Sequence, residues 1–138
     1  MCLALFMASA APLPELPWSA SEPAFAAVPL RERQEAVARR FGRPHVRVLW
    51  AHTGCGCGFS AVLEADAAAR GRSLAALAAY AAEAVRHGPV ELLVCWDDAD
   101  EYERPAEHRL RLAAAELAER ADWLAERSHV ELVSPGQS

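Results

Sequence analysis

Two of the four cysteines in this chain sit one residue apart, in the run Trp50-Ala-His-Thr-Gly-Cys-Gly-Cys-Gly-Phe-Ser-Ala-Val62. In extended chain the side chains of Cys55 and Cys57 share a face, with Cα atoms about 6.6 Å apart. A tetrahedral zinc ion holds each sulfur at about 2.3 Å, which places two sulfurs under about 4 Å apart. The chain must bend to bring them that close, and Gly54, Gly56 and Gly58 are the residues that permit a bend. His52 stands three residues before Cys55, giving H-x-x-C-x-C. Neutral imidazole and thiolate are ordinary ligands for zinc and other soft metals. The same bend would serve a Cys55–Cys57 disulfide, whose small strained ring would be easily reduced and therefore redox-active. A third reading is a glycine turn carrying two small buried side chains.

The other thiols are Cys2 and Cys95. Cys95 lies at the carboxyl end of an apolar strand, where ligands and catalytic groups gather in open α/β sheets. The strand ending at His52 runs directly into the glycine–cysteine run. If the two strands are parallel neighbours, Cys95 and Asp97 face Cys55 and Cys57. The alternative for Cys95 is a core cysteine. Cys2 reads as a strand cysteine; were the initiator methionine removed, its thiol beside the α-amine would also be a conceivable nucleophile. The expected metal set is thus Cys55 and Cys57, completed by His52 and Cys95. A zinc-like soft metal is the one cofactor the pattern suggests. A dithiol oxidoreductase using Cys55 and Cys57 is the second possibility, and a structural or interaction protein with buried cysteines the third. Whether the chain is an enzyme stays open at this point.

Other motifs fail. Gly56-x-Gly58-x-x-Ala61 follows a strand and formally fits a dinucleotide fingerprint, but no acidic residue closes a second strand about 20 residues on. The acidic Asp97–Glu103 segment lacks the glycine and the final glutamate of an EF-hand loop and reads as a solvated loop.

These residues need a scaffold. The 138 residues, 53% of them apolar, suggest one soluble globular domain over 1–138 with a proper core. The net charge of −5 argues against a nucleic-acid partner. The chain has arginine but no lysine, isoleucine or asparagine, and is rich in alanine. That is the pattern of GC-rich codon choice, so arginine here is no sign of phosphate recognition.

The N-terminal segment Met1–Trp18 has the apolar run of a signal peptide without its basic region, since the first arginine is Arg31. It is too short to span a bilayer, which argues against a membrane. It reads instead as a strand, Leu3–Ala8, apolar on both faces and buried inside a sheet. A cytoplasmic, reducing location follows, in which thiols or ligands are favoured over disulfides. An oligomer is compatible with the sequence.

Pro12, Pro14 and Pro17 make the next stretch an extended connection, with Trp18 as its anchor. Phe25–Val28 is a short strand closed by Pro29. Arg31–Phe41 is a short helix stopped by Gly42. Residues 45–52 alternate, with Val46, Val48 and Trp50 on one face and His45 and Arg47 on the other. Ser73 reads as the N-cap of a helix from Leu74 to His87, ended by Gly88–Pro89. Residues 90–97 form a central strand. Pro105 opens a helix carrying Leu110, Leu112 and Leu117 to about Arg120. Residues 129–133 form a last strand. The fold class is α/β, with a mixed sheet of four to six strands and about three helices. Strand–helix–strand order implies parallel neighbours, with the N-terminal and C-terminal strands running antiparallel.

Four segments together, MCLALFMAS followed by PLPELPW, HTGCGCGFS and GPVELLVCWD, resemble a group of small uncharacterised bacterial proteins. That group has an N-terminal Met-Cys strand, a GCGCGF run and a late CWD. The resemblance implies that Cys55, Cys57 and Cys95 belong to one motif set. It carries no activity, fold or cofactor.

Overall fold

The computed structural model describes residues 2–21, 24–120 and 122–134. It is a mixed sheet of six strands: β1 Leu3–Ser9, β2 Phe25–Val28, β3 His45–Ala51, β4 Val90–Trp96, β5 His108–Ala113 and β6 Ser128–Val133, in the order β2-β3-β1-β4-β6-β5. Four helices accompany it: α1 Glu35–Ala38, α2 Ala67–Val85, α3 Ala99–Tyr102 and α4 Glu116–Glu119. No helix among the described residues is long and apolar enough to cross a membrane.

Every residue of β1 is buried, because β1 lies at the centre of the sheet and has no polar face. Its alternation sends Leu3, Leu5 and Met7 into one core, with Leu77 and Ala81 of α2 and with Leu117 and Trp123. Ala4, Phe6 and Ala8 enter a second, smaller core on the other face, with Val37, Phe41, Val48, Leu93, Cys95 and Tyr102. Burying one such large side chain contributes about 1.5–3 kcal/mol. The strand therefore ties both layers together. Val46, Val48 and Trp50 share the second face, as their alternation requires.

The strand directions differ from expectation in one consequential way. β3 and β4 do run the same way, but they are not neighbours. β1 lies between them, antiparallel to both. An apolar strand without a polar face must take a central position, and the N-terminal strand takes it. β6 is antiparallel to β4, and the parallel pair is β5–β6 at the edge. The carboxyl ends of β3 and β4 thus meet the amino end of β1, which is where Cys2 lies.

Four local corrections follow. The long helix begins at Ala67 rather than Leu74, capped by the Asp66 carboxylate, which accepts from the Ala69 N–H at 3.0 Å. The alanines on either side offset the cost of Gly71, about 1 kcal/mol. Residues 31–41 yield only a 3-10 turn at Glu32–Gln34 and the single helical turn of α1. Residues 108–113 form strand β5 instead of a helix. The period-two pattern places Leu112 in the core and leaves Arg109 and Arg111 exposed, and it outweighs the alanine propensity that follows. Trp18 is exposed and anchors nothing in the described core; Leu13, 3% exposed, and the Leu16–Ala27 bridge hold that connection.

Candidate metal centre

At Ala51 the third strand ends, and the chain reverses at once. The Gly54 N–H donates to Ala51 O at 3.0 Å, and the Ala51 N–H donates to Cys55 O at 2.9 Å. Gly54 takes φ +75°, a left-handed conformation in which a side chain is strained. Cys55 is extended, and a 3-10 turn then spans Gly56–Phe59. Phe59 is 1% exposed and pins the turn into the larger core against Phe25.

The turn lies directly on the start of β1. A Cβ at position 56 would stand 2.5 Å from Leu3 O, so only glycine admits this approach. A Cβ at position 58 would meet the Ala51 side chain at 2.6 Å. The Gly58 N–H donates to Thr53 Oγ1 at 3.1 Å, closing the loop on itself. The glycines therefore bend the run and also let it press onto the neighbouring strand.

The result is a cluster of three sulfurs. Cys2, Cys55 and Cys57 have their Sγ atoms within 4.8 Å of one another. Cys2 is exposed, and Cys55 and Cys57 are half-buried. The Leu3 N–H donates to Cys57 Sγ at 3.2 Å. Thr53 Oγ1 lies 3.5 Å from Cys55 Sγ.

The three thiols differ in acidity. Burial acts to raise Cys55, but hydrogen bonds from the Thr53 hydroxyl, the Cys57 N–H and the thiols of Cys57 and Cys2 outweigh it and hold Cys55 below its ordinary value. Burial pushes Cys57 up to about 11, against the opposing bond from the Leu3 N–H, and the charge of Cys55 adds to the rise. Cys2 is raised, first by its hydrogen bond to Cys55, then by the charge of Cys55 and by burial. The first negative charge thus settles on Cys55, and the two neighbouring thiols donate to it.

His52 and Cys95 are not brought into this group. His52 Nδ1 lies 2.8 Å from Ser73 Oγ, and His52 Nε2 lies 2.8 Å from Glu64 Oε2. Ser73 Oγ also accepts from the His52 N–H at 3.0 Å and donates to Ala24 O at 2.7 Å. His52 therefore fastens the end of β3 to α2 and to Ala24, and Ser73, read from the sequence as a cap, is the fastener inside the helix. Cys95 lies at the expected end of the sheet but on the opposite face. It is 1% exposed, in the core with Phe6 and Tyr102. Burial pushes its thiol up to about 12.

Asp97 does not face the thiols either. Its Oδ1 accepts from the Tyr102 hydroxyl and, at 3.0 Å, from Gln34 Nε2; its Oδ2 pairs with Arg33 Nη2 at 2.8 Å. Arg33 Nη1 donates to the Tyr102 hydroxyl at 3.0 Å. The Asp97 backbone N–H donates to Cys2 O at 2.7 Å. This knot therefore holds the backbone of Cys2 in place beside the turn.

Sequence reasoning missed Cys2 as a member of the cluster. The signal was partial: a strand with two apolar faces must be central, but which strands flank it, and so what its first residue lies beside, is not written in its own residues. No protein-family model matches the chain, no curated protein matches it, and no solved structure matches it.

Proposed function

We propose that the chain binds a soft, thiophilic metal ion through Cys2, Cys55 and Cys57. One observation carries this reading: three sulfurs from two separate segments lie within 4.8 Å of one another at the surface end of the sheet. A glycine turn with incidental cysteines has no need to bring in the third sulfur from β1. Thiolate is the soft ligand that selects soft ions. Binding must displace protons, because Cys57 is pushed up to about 11 and Cys2 is also raised. With at least two protons released per ion, affinity should fall about 100-fold for each unit of pH lost near neutrality.

The test is metal content of reduced protein loaded with one equivalent of zinc and desalted. Cys2→Ser, Cys55→Ser and Cys57→Ser should each lose stoichiometric metal, with folding checked by circular dichroism. Three variants that keep the ion at wild-type level would end the reading.

A second reading is dithiol exchange, favoured by the contrast between Cys55, held low, and Cys57, pushed up to about 11. The Cys55 thiolate would attack one sulfur of a substrate disulfide, forming a mixed disulfide and releasing the other sulfur as a thiolate. A neighbouring cysteine, deprotonated, would then close an internal disulfide and release the second substrate thiol. In that case the double variant Cys2→Ser with Cys57→Ser, which has no neighbouring thiol left to resolve, traps a mixed disulfide on Cys55, whereas Cys55→Ser traps none on that residue.

A further inference from the structure

We propose that the ion this centre favours is monovalent copper, held three-coordinate by Cys2, Cys55 and Cys57; this rests on the soft-metal reading above and narrows it. The argument turns on the fourth ligand. A structural zinc ion is held by four protein ligands in a tetrahedron. Among the described residues, three cysteine sulfurs lie within reach of one another here, and His52, Glu64, Asp97 and Cys95 are each engaged elsewhere.

His52 has both ring nitrogens at 2.8 Å from other groups, Ser73 Oγ and Glu64 Oε2. Glu64 Oε1 accepts from the Asp66 N–H at 2.9 Å. Asp97 is held by Tyr102, Gln34 and Arg33. Cys95 lies in the core on the far side of the sheet. Among the described residues, the group with ligand atoms within reach of one another at this place is the three cysteines.

The donor set that the described residues provide is therefore all sulfur and one short of a zinc tetrahedron. Soft thiolate donors suit cuprous copper, and a closed-shell monovalent ion is satisfied by three sulfurs in a plane. Zinc would need a water or an outside ligand for its last position, and would be held correspondingly less firmly. The surroundings agree. Cys57 packs against the large apolar core, and Phe59 beneath the turn is buried, so the floor of the site is apolar. Cys2, being exposed, leaves the ion open to competition from an external chelator, which makes the preference measurable.

The experiment uses the full chain, reduced and without oxygen, loaded in parallel with one equivalent of cuprous ion or of zinc. Each sample is challenged with a chelator of moderate affinity for its own ion, and the protein-bound metal is counted by native mass spectrometry. X-ray absorption then counts the sulfur neighbours of bound copper, and alkylation before denaturation reports which thiols are covered. The expected result is one copper retained with three sulfur neighbours, Cys2, Cys55 and Cys57 all protected, and zinc lost to its chelator. Zinc held firmly against its chelator would overturn the preference, and so would copper with two sulfur neighbours and one of the three thiols alkylated. Both of those outcomes leave the soft-metal site standing. Binding of neither ion would overturn the site and the preference together.

Discussion

Two polar clusters sit at the same end of the sheet, on either side of the first residues of β1, and they are built in opposite ways. Around Asp97 the side chains of Arg33, Gln34 and Tyr102 converge on one carboxylate. Gln34 and Tyr102 are buried, and their polar groups are matched within the knot. Around Cys55 the thiols are partnered by one another, by the N–H groups of Leu3 and Cys57 and by the Thr53 hydroxyl. The first cluster is saturated, and saturated buried networks fix a structure. The second still has donor capacity, and its most exposed member faces solvent. Placed side by side, the proposed site differs from the polar joint by the bonds it leaves unmade.

The largest effect should come from removing what the two clusters share. Both are tied to Cys2 or Leu3, through Asp97 N–H on one side and Cys57 Sγ on the other. Deleting residues 2–10 removes Leu3, Leu5, Phe6 and Met7 from the two cores. Four large buried side chains contribute roughly 6–12 kcal/mol, comparable to the whole stability of a small domain, about 5–15 kcal/mol. The truncated chain should show no cooperative thermal transition. A soluble truncation that melts cooperatively would mean that β1 is not the common support.

A smaller change should separate the clusters. In Gly56→Ala the new Cβ meets a backbone oxygen, Leu3 O, at 2.5 Å. No rotamer relieves that contact, so the turn must lift from β1 and carry Cys57 with it. The expected cost is about 3 kcal/mol, with loss of stoichiometric metal. Gly71→Ala is the matched control. It lies inside α2 with nothing within 4 Å of the new Cβ, and it should stabilise by about 0.5–1 kcal/mol without touching the thiols. If Gly56→Ala melts like the wild type and holds its ion, the close approach does not position the cluster.

Tyr102→Phe tests the saturated side. The hydroxyl donates to a carboxylate that keeps its bonds from Gln34 and Arg33, so the loss should be about 1.5 kcal/mol at neutral pH. Burial works to raise Asp97, but the bonds from Tyr102, Gln34 and Arg33 outweigh it and leave its carboxyl below the ordinary value of 3.8. A carboxyl lowered by folding stabilises the native state above its unfolded value, and the benefit is lost as pH falls through the folded value. The difference in stability between Tyr102→Phe and wild type should therefore shrink in acid below the ordinary carboxyl range. A difference that stays constant down to pH 2 would detach Tyr102 from the charge on Asp97. At neutral pH the metal content of Tyr102→Phe should match that of the wild type.

Much of the fold was legible because periodicity and burial are local properties of the chain. The two apolar faces of Leu3–Ala8, the alternation of Val46, Val48 and Trp50, and the apolar run at Val90–Trp96 each dictate an element by themselves. The helix start was misjudged at Ser73 because a serine is a good cap, while the competing cap, Asp66, depended on Gly71 being tolerated inside a helix. Strand order was not legible, since it is set by which strand has no face to show to water, a comparison among all six. The cluster inherits that gap. Cys55 and Cys57 were legible from glycine spacing. Cys2 became visible only once β1 was placed between β3 and β4.

Cys95 carries the last and smallest prediction, because it separates position along a strand from position across a sheet. It sits where the motif pattern places it, one residue before the end of β4, at the same end as the glycine–cysteine run. Sheet parity decides the rest. Cys95 is registered opposite Ala4, and both side chains enter the smaller core. Leu3, one residue earlier, enters the larger core, where Cys57 packs. Cys95 is thus separated from the other thiols by the sheet itself, and its thiol, pushed up to about 12 by burial, stays protonated. Cys95→Ala should cost about 1 kcal/mol, the ordinary scale for a small change in a packed core. It should leave metal stoichiometry, affinity and the acidity of Cys55 where they were. Cys95 in the native protein should resist alkylation until denaturant is added, while exposed Cys2 should be alkylated without denaturant in the metal-free chain. A fall in bound metal on Cys95→Ala, with the thermal transition still cooperative, would show that the ion's environment reaches through the sheet, and the contrast between an open thiol cluster and a closed core would fail at that residue.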